Sequence, residues 1–349
     1  MRVTLKPLGE QVIVITGASS GIGLVTAKLA ARQGASVVLA ARNAADLDKA
    51  VDGIRRVGGR AIAVVADVGN RAQVEEIAGR AVGEFGRIDT WVNNAAVSMY
   101  GRIMELPIED LRRQFDVNFW GTVYGSRTAV PHLRKQGGAL INVASVLAER
   151  AIPLQGNYCA AKHAMKAFTD ALRMELEAEG APISVSLVKP GSTDTPFFQK
   201  ARNQMPHEPQ PVPPVNSVDV PARVILECAT RPIRDVLVGG AGKMTTVLGQ
   251  LAPRLVDRYM EDHLFDDQQA PEPATMRPDN LWAPVADDGG ERGRYHGRVA
   301  TSSLYTSASL HPGRAALLIA GLGVAMMGLS HLTSRSATHR RPTRGRRGL

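Results

Sequence analysis

Cysteine is nearly absent: Cys159 and Cys228 are the only two in 349 residues, with no CxxC pair and no Cys/His cluster. That scarcity argues against a disulfide scaffold or a zinc module, and it fits thiols kept reduced in the cytoplasm. Aromatic residues are sparse at 5%. The Arg-rich stretch after Glu291 holds only Tyr295 and Tyr305, and no nucleic-acid recognition module is recognisable. No acidic residue follows Glu291, and the ten basic residues beyond it are all Arg. The formal net charge of +9 therefore belongs to a tail, while the body before it is close to neutral. What is present is ordinary globular usage, 44% hydrophobic and 21% charged, which excludes global disorder and coiled coil. No internal repeat is visible.

Glu10 and Gln11 interrupt the N-terminal stretch before any apolar region builds up, so a signal peptide is not expected there. Short β-branched runs follow at residues 11–16, 36–41, 61–65, 88–92, 139–143, 183–188 and 235–238. Segments with helical spacing separate them, at 21–33, 71–85, 111–134, 158–179 and 217–230. This alternation predicts an α/β fold, a doubly wound parallel sheet of about seven strands with helices on both faces, over residues 1–240. Prolines across 193–214 predict a long loop beside the sheet. Residues 241–265 read as a helical extension, and 266–312, rich in Pro, Gly, Asp and Arg, as a flexible linker. Residues 313–349 hold an apolar segment, 315–329, and an Arg-rich tail. The apolar run is short against the roughly 20 residues a spanning helix needs.

The first strand runs into Thr16-Gly17-Ala18-Ser19-Ser20-Gly21-Ile22-Gly23, and a helical segment follows at once. Small residues let a pyrophosphate approach the backbone, and a helix start offers free N–H groups with a positive dipole end. A glycine-rich turn without a ligand is the plainer alternative. After the second strand comes Ala40-Ala41-Arg42, with no carboxylate to hold ribose hydroxyls. Arg42 has the donors to clamp a 2′-phosphate, or it is a solvated surface arginine. Asp67 either faces the adenine or caps its own turn. Tyr158 and Lys162 stand four apart on a predicted helix, so phenol and ammonium share one face, where a cation lowers the phenol's pKa. Ser145 ends a predicted strand thirteen residues earlier.

These parts are weak singly and specific together. The Gly17/Gly21/Gly23 loop, Asn93-Asn94-Ala95-Ala96, Asn118, Ser145, Tyr158, Lys162 and Pro190-Gly191 follow one another in a single order. In this the chain resembles the short-chain dehydrogenase/reductase family, over about residues 10–240. The resemblance implies a Rossmann-type fold and a catalytic tetrad of Asn118, Ser145, Tyr158 and Lys162. It also implies a dinucleotide site built from Gly17, Ser19, Ser20, Gly21, Ile22, Gly23, Arg42, Asp67, Asn94, Tyr158, Lys162, Pro190 and Gly191. A basic residue at 42 without an acid before it implies NADP(H), with Ser19 adding a hydrogen bond to the 2′-phosphate. Ala96 stands where the family has glycine, which is tolerable if the backbone there does not need positive φ. No metal is implied.

The reaction expected is hydride transfer between NADP(H) and a carbonyl or secondary alcohol. Tyr158 would give the proton, Ser145 would polarise the carbonyl, Lys162 would hold the ribose, and Asn118 would hold a water that relays protons to Lys162. His163 reads as a structural or exposed residue and Cys159 as a packing residue. A silent NADP(H) sensor that recruits a partner through its tail is the rival from another class, and an intact tetrad argues against it. The resemblance places Leu147, Ala148, Ile152, Leu154, Phe197, Phe198 and Met205 around a lipophilic pocket. It also implies a homo-oligomer, with the alternative that the extension at 244–265 covers or replaces the usual interface. The apolar segment predicts that a cytoplasmic body associates with an anionic membrane surface, by spanning or by shallow insertion, with packing on the body as the alternative.

Overall fold

β-branched runs buried on both sides form the centre of the computed structural model, which describes residues 3–286, 289–311 and 313. In chain order the principal elements are Val12–Thr16 (β1), Gly21–Arg32 (α1), Ser36–Ala41 (β2), Ala44–Arg56 (α2), Arg60–Val65 (β3) and Arg71–Phe85 (α3). Then come Thr90–Asn93 (β4), Ile108–Phe115 (α4), Gly121–Arg134 (α5), Gly138–Val143 (β5), Gly156–Ala178 (α6), Ile183–Pro190 (β6), Asp219–Thr230 (α7) and Asp235–Val238 (β7). The strands make one parallel sheet in the order β7-β6-β5-β4-β1-β2-β3. Val12 and Val14 enter one core cluster with Val74, Ile77 and Trp91, while the alternate residues Ile13 and Ile15 are equally buried. A strand apolar on both faces must be covered on both, and helices α1 with α7 and α3 with α5 supply the layers. The strand order reverses between β1 and β4, which opens a crevice at their carboxyl ends, the usual ligand position in such sheets.

Several details depart from the sequence reading. Helix α2 was not predicted, because its charged composition hides the apolar stripe Leu47, Ala50, Val51 and Ile54. Asn43 starts it by accepting a hydrogen bond from the Asp46 N–H at 3.1 Å. The predicted helix over 111–134 is broken by a π-helical turn, Asp116–Trp120. The extension is two helices, Ala241–Leu251 (α8) and Pro253–Asp267 (α9), because a proline at 253 disfavours helical backbone at Ala252. The proline-rich region 193–214 carries short strands and one helical turn as well as loop.

The linker expected at 266–312 is, through residue 306, largely held to the body. Gln269–Pro273 pairs antiparallel with His207–Pro209, and Val299–Ala300 pairs with Val215–Ser217. Leu281 is fully buried in the main core, a burial worth about 1.5–3 kcal/mol. Trp282 donates its indole N–H to Asp110 at 2.7 Å. Composition concealed this, since isolated anchors and backbone pairing leave no periodicity. The chain divides into two compact units, Met1–Thr306 and Ser307–Leu349. Of the second, only 307–311 and 313 are described, so the apolar segment 315–329 and the arginines after it lie outside the described residues. Among the described residues, no helix is long and apolar enough to cross a membrane.

Candidate active site

The turn between β1 and α1 can be made only with glycine. Gly17 has φ +66°, and a Cβ there would lie 2.7 Å from the Ala95 Cα. A Cβ on Gly23 would lie 2.3 Å from the Gly17 carbonyl oxygen, so helix and loop meet backbone to backbone. Asn94 braces the turn from β4, donating through Nδ2 to the Thr16 and Gly17 carbonyls at 3.0 and 3.2 Å. Ala96 does not have positive φ, so the methyl group in place of a hydrogen is accommodated. The turn opens onto a cavity of about 1170 Å³. Gly17, Ser19, Ser20, Gly21, Ile22, Arg42, Asp67 and Asn94 line it on one side, and Ser145, Tyr158, Lys162, Pro190 and Gly191 on the other. Ligand pockets run to about 300–1,000 Å³. The volume lies above that range, and Gly21 and Ile22 at the start of α1 border it, the kind of helix terminus that attracts anionic groups.

Ser145 stands beyond β5, and α6 carries Tyr158 and Lys162 on one face, with Lys162 Nζ 5.6 Å from the Tyr158 ring centroid. Both are buried, and Lys162 Nζ donates to the Val143 carbonyl at 2.9 Å. Burial pushes the Tyr158 phenol well above its ordinary value, only partly countered by the Ser145 hydroxyl. The expected lowering by a cation is not what this environment produces, because burial dominates and also pulls Lys162 down, to about 7. Burial thus favours the protonated phenol at Tyr158 and the neutral amine at Lys162. Asn118, in the π-helical turn, does not line the cavity. Its side chain pairs twice with Val97, accepting from the N–H and donating to the carbonyl, both at 2.9 Å.

Lys162 makes stability depend on pH. The unfolded chain holds this proton up to about 10.5 and the fold releases it near 7, so between those values the unfolded state binds more protons. The penalty for a buried ammonium is full below pH 7 and fades as pH rises. Denaturant titrations of dinucleotide-free protein between pH 6.5 and 8.5 should show stability rising with pH in the wild type. That rise should be reduced in Lys162→Met, and equal slopes would contradict a buried, proton-exchanging Lys162.

Other expectations divide. Asp67 caps its turn by accepting from the Gly69 N–H at 2.9 Å and also pairs with Arg113, while still reaching the cavity wall. Arg42 is not a solvated arginine: it donates to the carbonyls of Asn280, Leu281 and Trp282. Cys159 is buried, with its thiol pushed up to about 11, and His163 is exposed. Of the apolar residues expected around the substrate, Leu147, Ile152, Phe197 and Phe198 line the cavity. Ala148, Leu154 and Met205 do not. Ala148 packs with Ala144, Met165 and Leu187, and the other two with Tyr100 and Ala201. Sequence reasoning missed Lys200, which donates to the Ser20 hydroxyl at 2.7 Å, and the contribution of α8 and α9 through Leu248, Leu255 and Met260. Apolar spacing announced those helices but not what they cover.

The short chain dehydrogenase family pattern matches residues 11–206. An uncharacterized oxidoreductase of Bacillus subtilis, YxnA, is 44% identical over 92% of this chain and 91% of its own length. The crystal structure of a short chain dehydrogenase/reductase from Burkholderia phymatum in complex with NAD is similar at TM-score 0.65 and 27% identity. It covers 73% of this chain and 96% of that one. An alcohol dehydrogenase from Thermococcus sibiricus, complexed with 5-hydroxy-NADP, is similar at TM-score 0.58 and 25% identity, over 65% of this chain and 95% of that one. The chain belongs to the short-chain dehydrogenase/reductase family of oxidoreductases, with the seven-stranded Rossmann-type sheet of that class.

Proposed function

We propose that this protein is an NADP(H)-dependent oxidoreductase moving a hydride between the nicotinamide and a lipophilic carbonyl or secondary alcohol. One observation carries the reading: Tyr158, Lys162 and Ser145 share a cavity with the glycine loop, the ammonium 5.6 Å from the phenol ring centroid. The loop Gly17 to Ile22 holds the pyrophosphate, Gly23 and Asn94 keep that loop closed, and Pro190-Gly191 border the nicotinamide. Arg42 and Ser19 take the 2′-phosphate, and Asp67 borders the adenine. When bound, the nicotinamide supplies or accepts the hydride. The chain then has to supply one proton and to stabilise charge on oxygen. Tyr158 Oη delivers the proton in reduction, Ser145 donates a hydrogen bond to the carbonyl oxygen, and Lys162 holds the nicotinamide ribose and restores the tyrosine's proton. Asn118 is a positioning residue here, acting through Val97, and a water relay from it to Lys162 is part of the proposal. The catalytic body is residues 1–240, and 241–265 close the substrate side.

The cavity wall supports a lipophilic substrate. Leu147, Ile152, Phe197 and Phe198 meet Leu248, Leu255 and Met260 around it. Each buried methylene is worth about 0.8 kcal/mol, so lengthening an apolar ketone by two carbons should lower KM about tenfold. A turnover screen with NADPH and NADH across steroid, retinoid, quinone, aldehyde and acyl substrates tests the function. No turnover with any carbonyl would overturn it, and a preference for short polar substrates would remove the lipophilic reading.

Membrane association of a cytoplasmic body is a separate proposal resting on sequence, on the apolar run 315–329 and the six Arg from 335 to 347. Full-length protein should pellet with anionic vesicles, and a chain ended after Leu310 should not. Equal recovery of both in the soluble fraction would remove the anchor. Homo-oligomerisation belongs to the same proposal and is checked by light scattering.

A further inference from the structure

One segment crosses the dinucleotide side of the cavity, and its backbone takes up the donors a dinucleotide needs. Arg42 Nη1 reaches the carbonyls of Leu281 and Trp282 at 3.4 and 3.2 Å, and Nη2 that of Asn280. Asn43 Nδ2 donates to the Val285 carbonyl at 2.9 Å. At the glycine loop, the Gly21 N–H, at the start of α1, donates to the Gly290 carbonyl at 3.0 Å. Beyond it the Gly293 N–H donates to Asp194 at 3.1 Å, and Glu291 pairs with Lys28 at 2.7 Å. Taken in order, these anchors run from the buried Leu281, whose carbonyl accepts from Arg113 beside Asp67, past the end of β2 to the pyrophosphate cradle. The strap thus lies along the adenosine and pyrophosphate half of the groove and leaves the Tyr158 half open.

We propose that residues 280–286 and 289–293 form a strap that competes with the dinucleotide, its carbonyls holding the Arg42 guanidinium and the Gly21 N–H until a phosphate-bearing ligand takes them. The inference rests on the dinucleotide reading of the groove given above. Its physical basis is simple exchange: the Gly21 N–H trades a neutral carbonyl for a phosphate oxygen, a charge-assisted bond about twice as strong, and the Arg42 guanidinium trades neutral acceptors for an anion that adds ionic attraction and bidentate geometry. A ligand carrying both a pyrophosphate and a 2′-phosphate displaces the strap at two points, and one without the 2′-phosphate at a single point. Strap opening then precedes binding, and affinity is lowered by the fraction of molecules held closed.

Two substitutions loosen the strap without altering the residues assigned to binding or catalysis. A Cβ on Gly293 would lie 2.6 Å from the Thr195 carbonyl oxygen, so Gly293→Ala lifts the strap near the cradle. Trp282→Ala removes the indole bond to Asp110 and the stacking of Arg113 over the ring at 5.7 Å. In stopped-flow binding of NADPH and of NADH to the full chain, the wild-type rate should level off with ligand concentration at the rate of strap opening. Both variants, with unchanged circular dichroism, should bind NADPH at least 5-fold more tightly and raise that plateau. Unchanged affinity with a linear wild-type rate would overturn the strap while leaving the cofactor reading intact. Weaker binding in both variants would also overturn it, since the strap would then be holding the ligand. Tighter NADH than NADPH binding with a plateau that rises in the variants would uphold the strap and overturn only the cofactor choice. No dinucleotide binding in any of the three proteins would overturn both.

Discussion

Tyr158→Phe should lower turnover by about 10²–10³ or more, the range typical of removing a positioned acid/base group, while NADPH binding stays nearly unchanged. The expectation follows from the environment of the phenol. Burial holds the Tyr158 proton in place well past the ordinary tyrosine range, and Ser145 is the hydroxyl beside it. Phenylalanine keeps the ring and its edge contact with Phe197, at 5.9 Å between centroids, and removes only the oxygen. Stability and dinucleotide affinity should therefore hardly move, and the loss should appear in kcat. Single-turnover hydride transfer measured with saturating NADPH makes the distinction. Near-normal turnover in this variant would dismiss Tyr158 as the donor and, with it, the tetrad.

Ala41→Asp combined with Arg42→Ala should shift the kcat/KM ratio of NADPH to NADH toward NADH by about 10²–10⁴. A hydrogen bond to a charged group is worth about 1.5–3 kcal/mol, and one such bond is lost to the 2′-phosphate while another is gained to the ribose hydroxyls. The new carboxylate also repels the phosphate. Arg42 engages carbonyls 280–282 as well, so removing it also frees the point at which a 2′-phosphate displaces the strap, a gain for NADPH that offsets part of the shift. Measuring the ratio beside that of Trp282→Ala, which loosens the same part of the strap and keeps Arg42, separates the two effects. If the unaltered protein already prefers NADH in side-by-side measurements, Arg42 is not the discriminating residue.

What the chain order alone determined was local. All seven strands, β1 to β7, follow from β-branched runs, with β4 starting two residues later than its run. The glycine turn follows from small residues between a strand and a helix, and the Tyr158/Lys162 pairing from a spacing of four on α6. Each of these depends on neighbours within a turn or two, and such patterns survive in one dimension. The order of Gly17, Asn94, Ser145, Tyr158 and Lys162 added the family, and so the sheet and the cavity. Tertiary structure decided the rest. Lys162 titrates near 7 because strands and helices exclude water from it, which no spacing records. Asn118 is turned onto Val97 by a π-helical turn that interrupts an otherwise regular helical pattern. Ala148, Leu154 and Met205 are apolar like their neighbours on the cavity wall, and only packing separates core from lining. Residues 269–306 looked like linker because their anchors are single contacts over long separations, such as Arg42 to Leu281, 239 positions apart. Contacts of that kind have no period, and the fold alone brings their two ends together.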